Sequence, residues 1–366
     1  MRVIISGGGT GGHIFPAVAI AKTIQQQHPD AVILFVGALG KMEMEKVPAA
    51  GFEIIGLPIV GIQRRLTWKN LLVPFKLLAS MWKARQIIKS FKPDIAIGVG
   101  GYASGPLLRA AASAGVRTLI QEQNSYPGIT NRILSKKVNT ICVAYPGLEK
   151  YFPAEKIVLT GNPVRPEVVD LQGKRDKATQ FFNLDSNRKT LLIIGGSLGA
   201  RTINQAVEAS AARWEESGLQ VIWQTGKGYI DQAKKCTQTL VHVQAQEFIK
   251  EMDYAYAAAD IVVSRAGAMS ISELCLVGKP VVFVPSPNVS EDHQTKNAMA
   301  LVSRDAALLV RDADASSQLC DTVLKLVSDE SRMQALSVAS KAMAHDSAAE
   351  RIVEEVMKLV LLHRVA

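Results

Sequence analysis

The sequence has little of what marks secreted, membrane-spanning or disulfide-rich proteins. Its 366 residues include only four cysteines, and no two of them form a C-x-x-C pair. This excludes a disulfide scaffold and a cysteine-based zinc cluster and fits a reducing compartment. No segment approaches the ~18 uninterrupted apolar residues of a membrane-spanning helix. The chain starts with a strand-like segment, Arg2–Ser6, instead of a signal peptide. We therefore expect a cytoplasmic protein that begins close to Met1.

Acidic residues are under-represented, and one long segment has none. The chain has 42 Lys and Arg against 33 Asp and Glu, a net charge of +9. Between Ile54 and Pro93 there is no acid, whereas eight Lys and Arg residues occur there. Such an excess favours an anionic partner, which can be a nucleic acid, a phospholipid or a phosphorylated substrate.

The same acid-free segment is rich in large apolar side chains. Basic and apolar residues are interleaved at Trp68, Lys69, Leu72, Phe75, Lys76, Leu78 and Trp82. This mixture predicts a surface that rests on an anionic bilayer, where each basic residue adds about 1 kcal/mol. An RNA-binding patch and a core helix with a solvated basic face are the alternatives. We prefer the membrane and expect no nucleic-acid partner, because aliphatic residues outnumber aromatic ones and no nucleic-acid motif occurs.

Short Val- and Ile-rich segments alternate with longer helical patterns along the whole chain. The predicted strands are Val3–Ser6, Val32–Gly37, Glu53–Leu57, Asp94–Val99, Thr118–Glu122, Thr140–Ala144, Ile157–Thr160, Thr190–Ile194, Gln220–Gln224, Ile261–Ser264, Pro280–Val284 and Ala307–Val310. Apolar strands separated by helices indicate parallel β-α-β units. The series restarts after a polar stretch, Asp170–Arg188, which we interpret as an interdomain connection. The pattern predicts an α/β protein with two doubly wound parallel-sheet domains facing a cleft.

A glycine-rich loop, Gly7–His13, follows the first predicted strand and leads into a helix. Its glycines permit close backbone approach, and the helix N-terminus offers N–H groups to an anion. The loop satisfies G-x-G-x-x-G, but a nicotinamide site would also need an acid after the second strand, where Gly37–Gly40 stands. A tight turn without a ligand is the alternative. His13 is a candidate general base beside the bound anion, or a residue that only caps the loop.

Three further glycine loops precede predicted helices. Gly195–Ala200 also spells G-x-S-x-G, so Ser197 could be a hydrolase nucleophile with Asp260 and His345, although phosphate binding fits better. In Ser264–Glu273 the N–H groups of Met269 and Ser270 can bind a diphosphate. Glu273 there can bind a ribose diol, unless it is an ordinary first-turn acid. Gly100–Pro106 is another anion loop. Together they favour a nucleotide-diphosphate ligand.

Polar clusters at Gln121–Asn124 and Asp292–Asn297 complete the candidate site. His293 beside Asp292 suggests a metal, but the other histidines do not have ligand spacing. Asp312 and Asp314 form a D-x-D pair, which we interpret as a solvated turn. We expect neither a metal site nor a cofactor.

These motifs together resemble the MurG family, the bacterial peptidoglycan GlcNAc transferases. The resemblance extends from Val3 to about Asn297 and rests on Gly7–His13 with Phe15 and Pro16, Gly100–Pro106, Glu122–Asn124, Gly161–Arg165, Gly195–Ala200, Arg265–Glu273 and His293–Gln294. It implies a GT-B fold with domains at 1–163 and 164–345, and a C-terminal helix, about 346–366, that packs back on the first. It also implies inverting transfer of GlcNAc from UDP-GlcNAc to the C4 hydroxyl of muramoyl-pentapeptide-diphospho-undecaprenol.

The resemblance also implies roles for individual residues. His13 would be the base, and the first domain would lie on the cytoplasmic face of the cell membrane through the segment from Trp68 to Trp82. Thr295 stands where some relatives have a second glutamine that contacts the sugar. The expected donor contacts are Thr10, Gly11, Gly12, Asn124, Arg165, Ser197, Ile249 through its backbone, Ala268, Met269, Ser270, Glu273 and Gln294. The expected contacts to the acceptor diphosphate are Gly8, Gly9, Gly100, Gly101, Tyr102 and Ser104.

Two alternatives remain open at this point. The chain could be a related GT-B enzyme that uses the same donor with another lipid, or an epimerase. It could also be a non-catalytic UDP-sugar sensor recruited to the membrane. Release of UDP that depends on the muramoyl lipid would separate the transferase from both.

Overall fold

The computed structural model describes residues 1–59 and 73–365. The chain divides into two compact units. The first comprises Met1–Pro163 together with His345–Ala366, and the second is Val164–Ala344. Each unit is built around its own sheet, in which all strand pairs of the described residues are parallel.

The first unit has a seven-stranded sheet. Its strands are β1 (Arg2–Ser6), β2 (Val32–Ala38), β3 (Glu53–Leu57), β4 (Ile95–Gly98), β5 (Arg117–Glu122), β6 (Thr140–Val143) and β7 (Ile157–Leu159). They lie in the order β3-β2-β1-β4-β5-β6-β7. The central strands are apolar and buried on both faces, as expected when helices cover both sides of a parallel sheet.

Helices cover both faces of this sheet, and one comes from the end of the chain. They are α1 (Gly11–Gln27), α2 (Glu43–Ala49), α3 (Val73–Phe91), α4 (Ser104–Ser113), α5 (Ile129–Leu134) and the C-terminal helix, Ala348–Val365. Apolar residues spaced three or four apart on the C-terminal helix, including Ile352, Val353 and Val356, are fully buried in the same core as Val3 and Ile5 of β1. The C-terminal helix therefore completes the hydrophobic core of the first unit.

The second unit has a six-stranded sheet. Its strands are β8 (Thr190–Ile194), β9 (Gln220–Gln224), β10 (Val243–Gln246), β11 (Ile261–Ser264), β12 (Val281–Phe283) and β13 (Leu308–Leu309), in the order β10-β9-β8-β11-β12-β13. Sequence patterning predicted five of these strands and missed β10. That edge strand reads Val-Gln-Ala-Gln, and only Val243 is fully buried, so its hydrophobic signal is weak.

The helices of the second unit begin directly after the boundary at Val164. They are α6 (Pro166–Val169), α7 (Arg175–Phe181), α8 (Arg201–Ala209), α9 (Ala211–Glu216), α10 (Ile230–Thr237), α11 (Met252–Ala258), α12 (Ala268–Val277), α13 (His293–Val302), α14 (Ala315–Val327) and α15 (Glu330–Ala342); the C-terminal helix is α16. The prediction of an interdomain connection at Asp170–Arg188 was wrong. That polar segment contains α7, which packs on α11, and it belongs to the second unit.

Both sheets reverse their strand order at a central pair. In the first unit the reversal lies between β1 and β4, and in the second between β8 and β11. Open parallel sheets bind ligands at such a point, beyond the carboxyl ends of the strands. The four glycine loops identified in the sequence follow these four strands. The topology of each unit therefore brings two of the loops together at one sheet edge.

No helix among the described residues is both long enough and apolar enough to span a bilayer.

Candidate functional site

In the first unit the loops after β1 and β4 are in backbone-to-backbone contact. A Cβ atom on Gly101 would lie 2.4 Å from the Gly8 carbonyl oxygen, and Gly101 has φ +88°. A Cβ on Gly7 would lie 2.0 Å from Val99 Cγ2. Only glycine permits this approach together with the positive φ. Glycine is therefore required at these positions for the packing of the two loops, in addition to the anion binding that the sequence suggested.

His13 lies in the first turn of α1, against the second of these loops. Its Nδ1 is 3.1 Å from the Gly8 carbonyl oxygen and 3.2 Å from Thr10 Oγ1. A Cβ on Gly100 would lie 2.8 Å from Nε2, so the imidazole packs directly on that glycine. Because a carbonyl can only accept, we assign the proton of the neutral ring to Nδ1, which places the lone pair on Nε2. This tautomer suits a general base that acts through Nε2.

Glu43, which sequence reasoning missed, binds the backbone of the first glycine loop. Its side chain is 1% exposed. Oε2 accepts the Gly9 N–H at 2.9 Å, and Oε1 accepts the Ala38 N–H at 2.9 Å. A Cβ on Gly8 would lie 2.2 Å from the carboxylate. Glu43 stands in a charged stretch that reads as a solvated helix, so nothing in the pattern marks it as buried.

The structure corrects several predicted acceptor contacts. Ser104 is fully buried, and its hydroxyl lies within hydrogen-bond distance of the carbonyl oxygens of Gly100 (2.8 Å) and Ser6 (2.9 Å), which share its single proton, so this side chain anchors the loop. Gly8 and Gly100 are buried as well. The Gly9 N–H is engaged by Glu43. The accessible members of this set are Gly9, Gly101 and Tyr102, whose side chain is 48% exposed.

The remaining residues predicted to contact the donor from the first unit lie at accessible or half-buried positions. Thr10, Gly11 and Gly12 form the exposed or half-buried start of α1. Asn124 follows β5, and its side-chain and backbone N–H groups both donate to Glu122 Oε1 at 3.1 Å. Glu122 Oε2 accepts from the Gly128 N–H (3.1 Å) and from Asn131 Nδ2 (2.8 Å). The buried carboxylate thus fixes the turn that carries Asn124.

In the second unit, Gln224 connects the loop after β8 with the segment that carries Ile249. Its Nε2 donates to the Gly196 carbonyl oxygen at 2.9 Å, and its Oε1 accepts the Ile249 N–H at 3.0 Å. Any contact from the Ile249 peptide to a base would therefore use its carbonyl oxygen. Ser197 is exposed at the tip of the loop. The sequence signal for Gln224, a polar residue at the end of an apolar strand, was present but not specific.

The loop after β11 leads into α12 and is anchored by Arg265. Arg265 donates to the Val284 carbonyl oxygen at 2.9 Å and forms an ion pair with Asp312, which also accepts from Thr202 Oγ1 at 3.0 Å. The interpretation of Asp312 as part of a solvated turn was therefore wrong, since its side chain is only 17% exposed. Beyond this anchor, Gly267 caps α12. The N–H groups of Ala268, Met269 and Ser270 have no preceding turn to bond to, so they form an anion-binding end.

Glu273, one turn further along α12, lies in a buried polar cluster. Tyr256, which is fully buried, donates its hydroxyl to Glu273 Oε2 at 3.1 Å. Burial raises the pKa of Glu273 above its usual value, while nearby Arg165 and the Tyr256 hydroxyl act in the opposite direction. Burial and the Glu273 charge together raise the pKa of Tyr256 well above 10. Tyr256 thus remains a neutral donor, and Glu273 is an acceptor whose charge state is sensitive to pH.

Gln294 and Thr295 lie at the start of α13. Gln294 Oε1 accepts the Ser286 N–H at 2.8 Å. The Thr295 hydroxyl donates to Asp292 Oδ1 at 2.7 Å, so it is used within the start of its own helix. Among the described residues, no three His, Cys, Asp or Glu side chains are close enough together to hold a metal ion.

The geometry contradicts the hydrolase alternative for Ser197. Asp260 forms an ion pair with Arg175 at 2.9 Å and accepts the Thr190 N–H at 2.8 Å. Thr190 begins β8, whereas Ser197 follows the other end of that strand. His345 belongs to the first unit, where its Cβ packs against Gly161. Asp260 therefore lies at the opposite end of β8 from Ser197, so the nominated triad is not assembled.

The segment from Trp68 to Trp82 is described from residue 73 onward. Phe75, Leu78 and Trp82 are exposed to 71%, 64% and 63% and lie on one face of α3, since their spacing is three and four residues. Lys76 is half-buried. The other predicted members, Trp68, Lys69 and Leu72, lie outside the described residues.

Comparison with known proteins places both units in one family. Residues 3–143 match the glycosyltransferase family 28 N-terminal domain, and residues 190–352 match its C-terminal domain. The chain is 56% identical over 361 residues to the UDP-N-acetylglucosamine–N-acetylmuramyl-(pentapeptide) pyrophosphoryl-undecaprenol N-acetylglucosamine transferase of Parabacteroides distasonis, covering 98% of each chain. It is 55% identical over 363 residues to the protein of that name from Bacteroides thetaiotaomicron, again covering 98% of each.

Solved structures agree with this placement. The crystal structure of Acinetobacter baumannii MurG is similar with a TM-score of 0.81 and 28% identity, covering 98% of this chain and 99% of that one. A UDP-GlcNAc 2-epimerase from Neisseria meningitidis matches with a TM-score of 0.68 at 15% identity, covering 98% and 100%, and so shares the fold alone. The two parallel-sheet units are thus of the GT-B type. With relatives this similar over nearly its full length, the chain belongs to the MurG family of N-acetylglucosamine transferases, within glycosyltransferase family 28.

Proposed function

We propose that this protein transfers GlcNAc from UDP-GlcNAc to the C4 hydroxyl of the muramoyl sugar on undecaprenyl-diphosphate, with inversion, as a step of peptidoglycan synthesis. The observation that carries the proposal is the 56% identity over 98% of the chain to a transferase named for this reaction. The four glycine loops at the carboxyl ends of the central strands support it, because they provide anion-binding backbone in both units.

In the proposed mechanism the second unit binds the donor. The start of α12 faces the UDP diphosphate, and Glu273 accepts from the ribose diol. Arg165, Ser197 and Gln294 complete the donor contacts, with the Ile249 carbonyl oxygen on uracil. Negative charge grows on the diphosphate as the bond from GlcNAc C1 to its oxygen breaks. The N–H groups of α12 and the Arg165 guanidinium stabilise that charge without a metal ion.

The first unit supplies the base and the acceptor loops. His13 Nε2 takes the proton of the acceptor hydroxyl as its oxygen attacks GlcNAc C1 on the face opposite UDP. The acceptor diphosphate contacts the accessible backbone at Gly101 together with Tyr102, because the Gly9 N–H is already bonded to Glu43. Thr10, Gly11, Gly12 and Asn124 contact the donor sugar from this unit.

We also propose that the protein associates peripherally with the anionic cytoplasmic face of the cell membrane. The support is the exposed row of Phe75, Leu78 and Trp82 on α3, in a segment without any acid. Basic side chains near such a row add electrostatic attraction to anionic lipid.

The test is UDP release from UDP-GlcNAc, measured in EDTA with and without a short-chain analogue of the muramoyl-diphosphate lipid. We expect release only when the analogue is present. Release without any acceptor would favour the epimerase alternative or simple hydrolysis. Donor binding without release, with this and other lipid acceptors, would favour the sensor. Failure to bind UDP-GlcNAc would overturn the assignment of the second unit.

A further inference from the structure

One peptide group lies between the His13 imidazole and the Glu43 carboxylate. The carbonyl oxygen of Gly8 is 3.1 Å from His13 Nδ1, and the N–H of Gly9 donates to Glu43 Oε2 at 2.9 Å. These two groups belong to the same planar peptide bond. The imidazole, the peptide and the carboxylate therefore form one continuous chain of hydrogen bonds.

We propose that Glu43 is a positioning residue for His13 and acts through the Gly8–Gly9 peptide. The inference rests on the proposed function, in which His13 is the base. Glu43 fixes the peptide plane, and the peptide carbonyl in turn fixes the imidazole with its proton on Nδ1. The arrangement has the same logic as a carboxylate that orients a catalytic histidine directly, with a peptide group inserted between the two.

The charges along this series of hydrogen bonds favour proton uptake by His13 in the transfer step. A carboxylate at the N–H end of a peptide polarises its carbonyl, which becomes a stronger acceptor for Nδ1–H. In the transfer step the acceptor oxygen bonds to GlcNAc C1, its proton moves to Nε2, and the electron pair of the broken C1–O bond leaves with UDP. The imidazolium so formed keeps its Nδ1 proton, and the nearby negative charge of Glu43 stabilises it.

The surroundings of Glu43 hold its carboxylate in one place. The carboxylate is 1% exposed, and in the part of the chain that the structure describes it forms no ion pair with a Lys or Arg. A buried carboxylate costs free energy unless it is hydrogen-bonded. Here two backbone N–H groups hold its oxygens, and the missing side chains of Gly8 and Gly37 leave the room it occupies.

Other titratable groups stand on the elements that pack against α1 and its loop. Apart from His13, α1 carries none before Lys22. Glu45 and Lys46 of α2 are exposed and form an ion pair with each other. Among the described side chains, others are Arg2 on β1, Tyr102 after β4, and Glu350, Arg351, Glu354, Glu355 and Lys358 on α16.

The experiment compares Glu43→Gln with Glu45→Gln in the full chain. Both variants remove one negative charge from α2, but the Glu45 side chain is 81% exposed and pairs with Lys46. For Glu43→Gln we expect kcat to fall by about 10- to 100-fold, the range seen for partners of other functional histidines. The acidic limb of its pH–rate profile should move to lower pH by on the order of one unit, because the imidazolium loses a stabilising charge. The KM of Glu43→Gln for UDP-GlcNAc should stay unchanged. The Glu45→Gln variant should keep the wild-type kcat and pH–rate profile.

A lowered kcat with an unshifted acidic limb would reduce Glu43 to a structural role and overturn the proposal. Equal effects of the two variants would also overturn it.

A ¹⁵N NMR spectrum of the His13 ring in the wild-type protein supplies a test that needs neither turnover nor a stable variant. The neutral ring should carry its proton on Nδ1, and an Nε2–H tautomer would overturn the inference. If the wild-type protein shows acceptor-dependent UDP release, failure of either test overturns the positioning of His13 by Glu43 and leaves the transferase function in place.

Discussion

Individual polar side chains do much of the positioning in both units, although few of them touch the expected substrates. Glu43, Glu122 and Gln224 each hold a loop by its backbone N–H or carbonyl groups. Two glycine loops therefore rely on Glu43 and Gln224, which lie 34 and 28 residues away along the chain, whereas Glu122 holds a turn next to it. Substitutions at these partners should alter catalysis or binding without removing a ligand contact.

His13 is the residue on which transfer should depend most. In His13→Ala, kcat should fall by about 10²- to 10⁴-fold, the usual contribution of a positioned general base. Binding of UDP-GlcNAc, measured by calorimetry, should change little, because most of the proposed donor contacts lie in the second unit. Unchanged turnover in this variant would remove His13 as the base.

Tyr256 should support donor binding through Glu273. In Tyr256→Phe the buried carboxylate loses a hydroxyl donor, so we expect the affinity for UDP-GlcNAc to fall by about fivefold, or about 1 kcal/mol. The matched control is Tyr254→Phe, which removes the same hydroxyl from the same helix while its ring remains against Phe181. Equal affinities in the two variants, measured by calorimetry at pH 7.5, would contradict this role.

The raised pKa of Glu273 predicts a pH dependence for the donor. Protonation removes the negative charge that strengthens the hydrogen bonds from the ribose diol, and burial shifts this protonation to a higher pH than for an exposed glutamate. Affinity for UDP-GlcNAc should therefore weaken as the pH falls, starting above the usual range of a glutamate. Glu273→Gln should bind UDP-GlcNAc more weakly and lose this pH dependence. Tyr256→Phe should shift the loss of affinity to still higher pH, because the Tyr256 hydroxyl stabilises the charged form of Glu273 in the wild type. A Glu273→Gln variant with the wild-type pH profile would refute the assignment.

At the scale of elements, α3 carries the proposed membrane contact. Phe75→Ala combined with Trp82→Ala should weaken binding to vesicles containing phosphatidylglycerol by about 30-fold, if each apolar side chain contributes on the order of 1 kcal/mol. Turnover with a short-chain acceptor should stay near that of the wild type. The control, Val241→Ala with Val338→Ala, removes exposed apolar groups from the second unit. Equal vesicle binding by the two double variants would argue against α3.

The sequence predicted the strands and the site loops better than the side chains that hold those loops in place. Strands with a continuous apolar run, such as Thr190–Ile194, were predicted because burial on both faces leaves that run unbroken. β10 was missed because an edge strand needs only one apolar residue. The site loops were found through their glycines, whereas Glu43 and Tyr256 reach the site only after folding brings their helices to it. Ser104 and Asp312 show the converse, since a hydroxyl or carboxylate in a polar motif can be used internally.

At the scale of the whole molecule, the stability of the first unit should depend on the end of the chain. Ile352→Ala removes a fully buried side chain of α16 and should cost about 2–5 kcal/mol. Amide hydrogen exchange should accelerate in β1, α1 and β4, which share that core, and stay unchanged in β8 and β11. The control is Val338→Ala at an exposed position of α15. Acceleration spread evenly over both units would show that they do not unfold separately.

The return of the chain to the first unit also sets an order for its biosynthesis. The second unit is one uninterrupted segment, Val164–Ala344, whereas the first unit is completed only by residues after His345. During translation the ribosome finishes the second unit while the core of the first still lacks Ile352, Val353 and Val356. The nascent first unit therefore presents an uncovered apolar surface for the time needed to synthesise the whole second unit. A stop codon shortly before Ala348 would leave that surface uncovered for good, with the donor-binding unit intact.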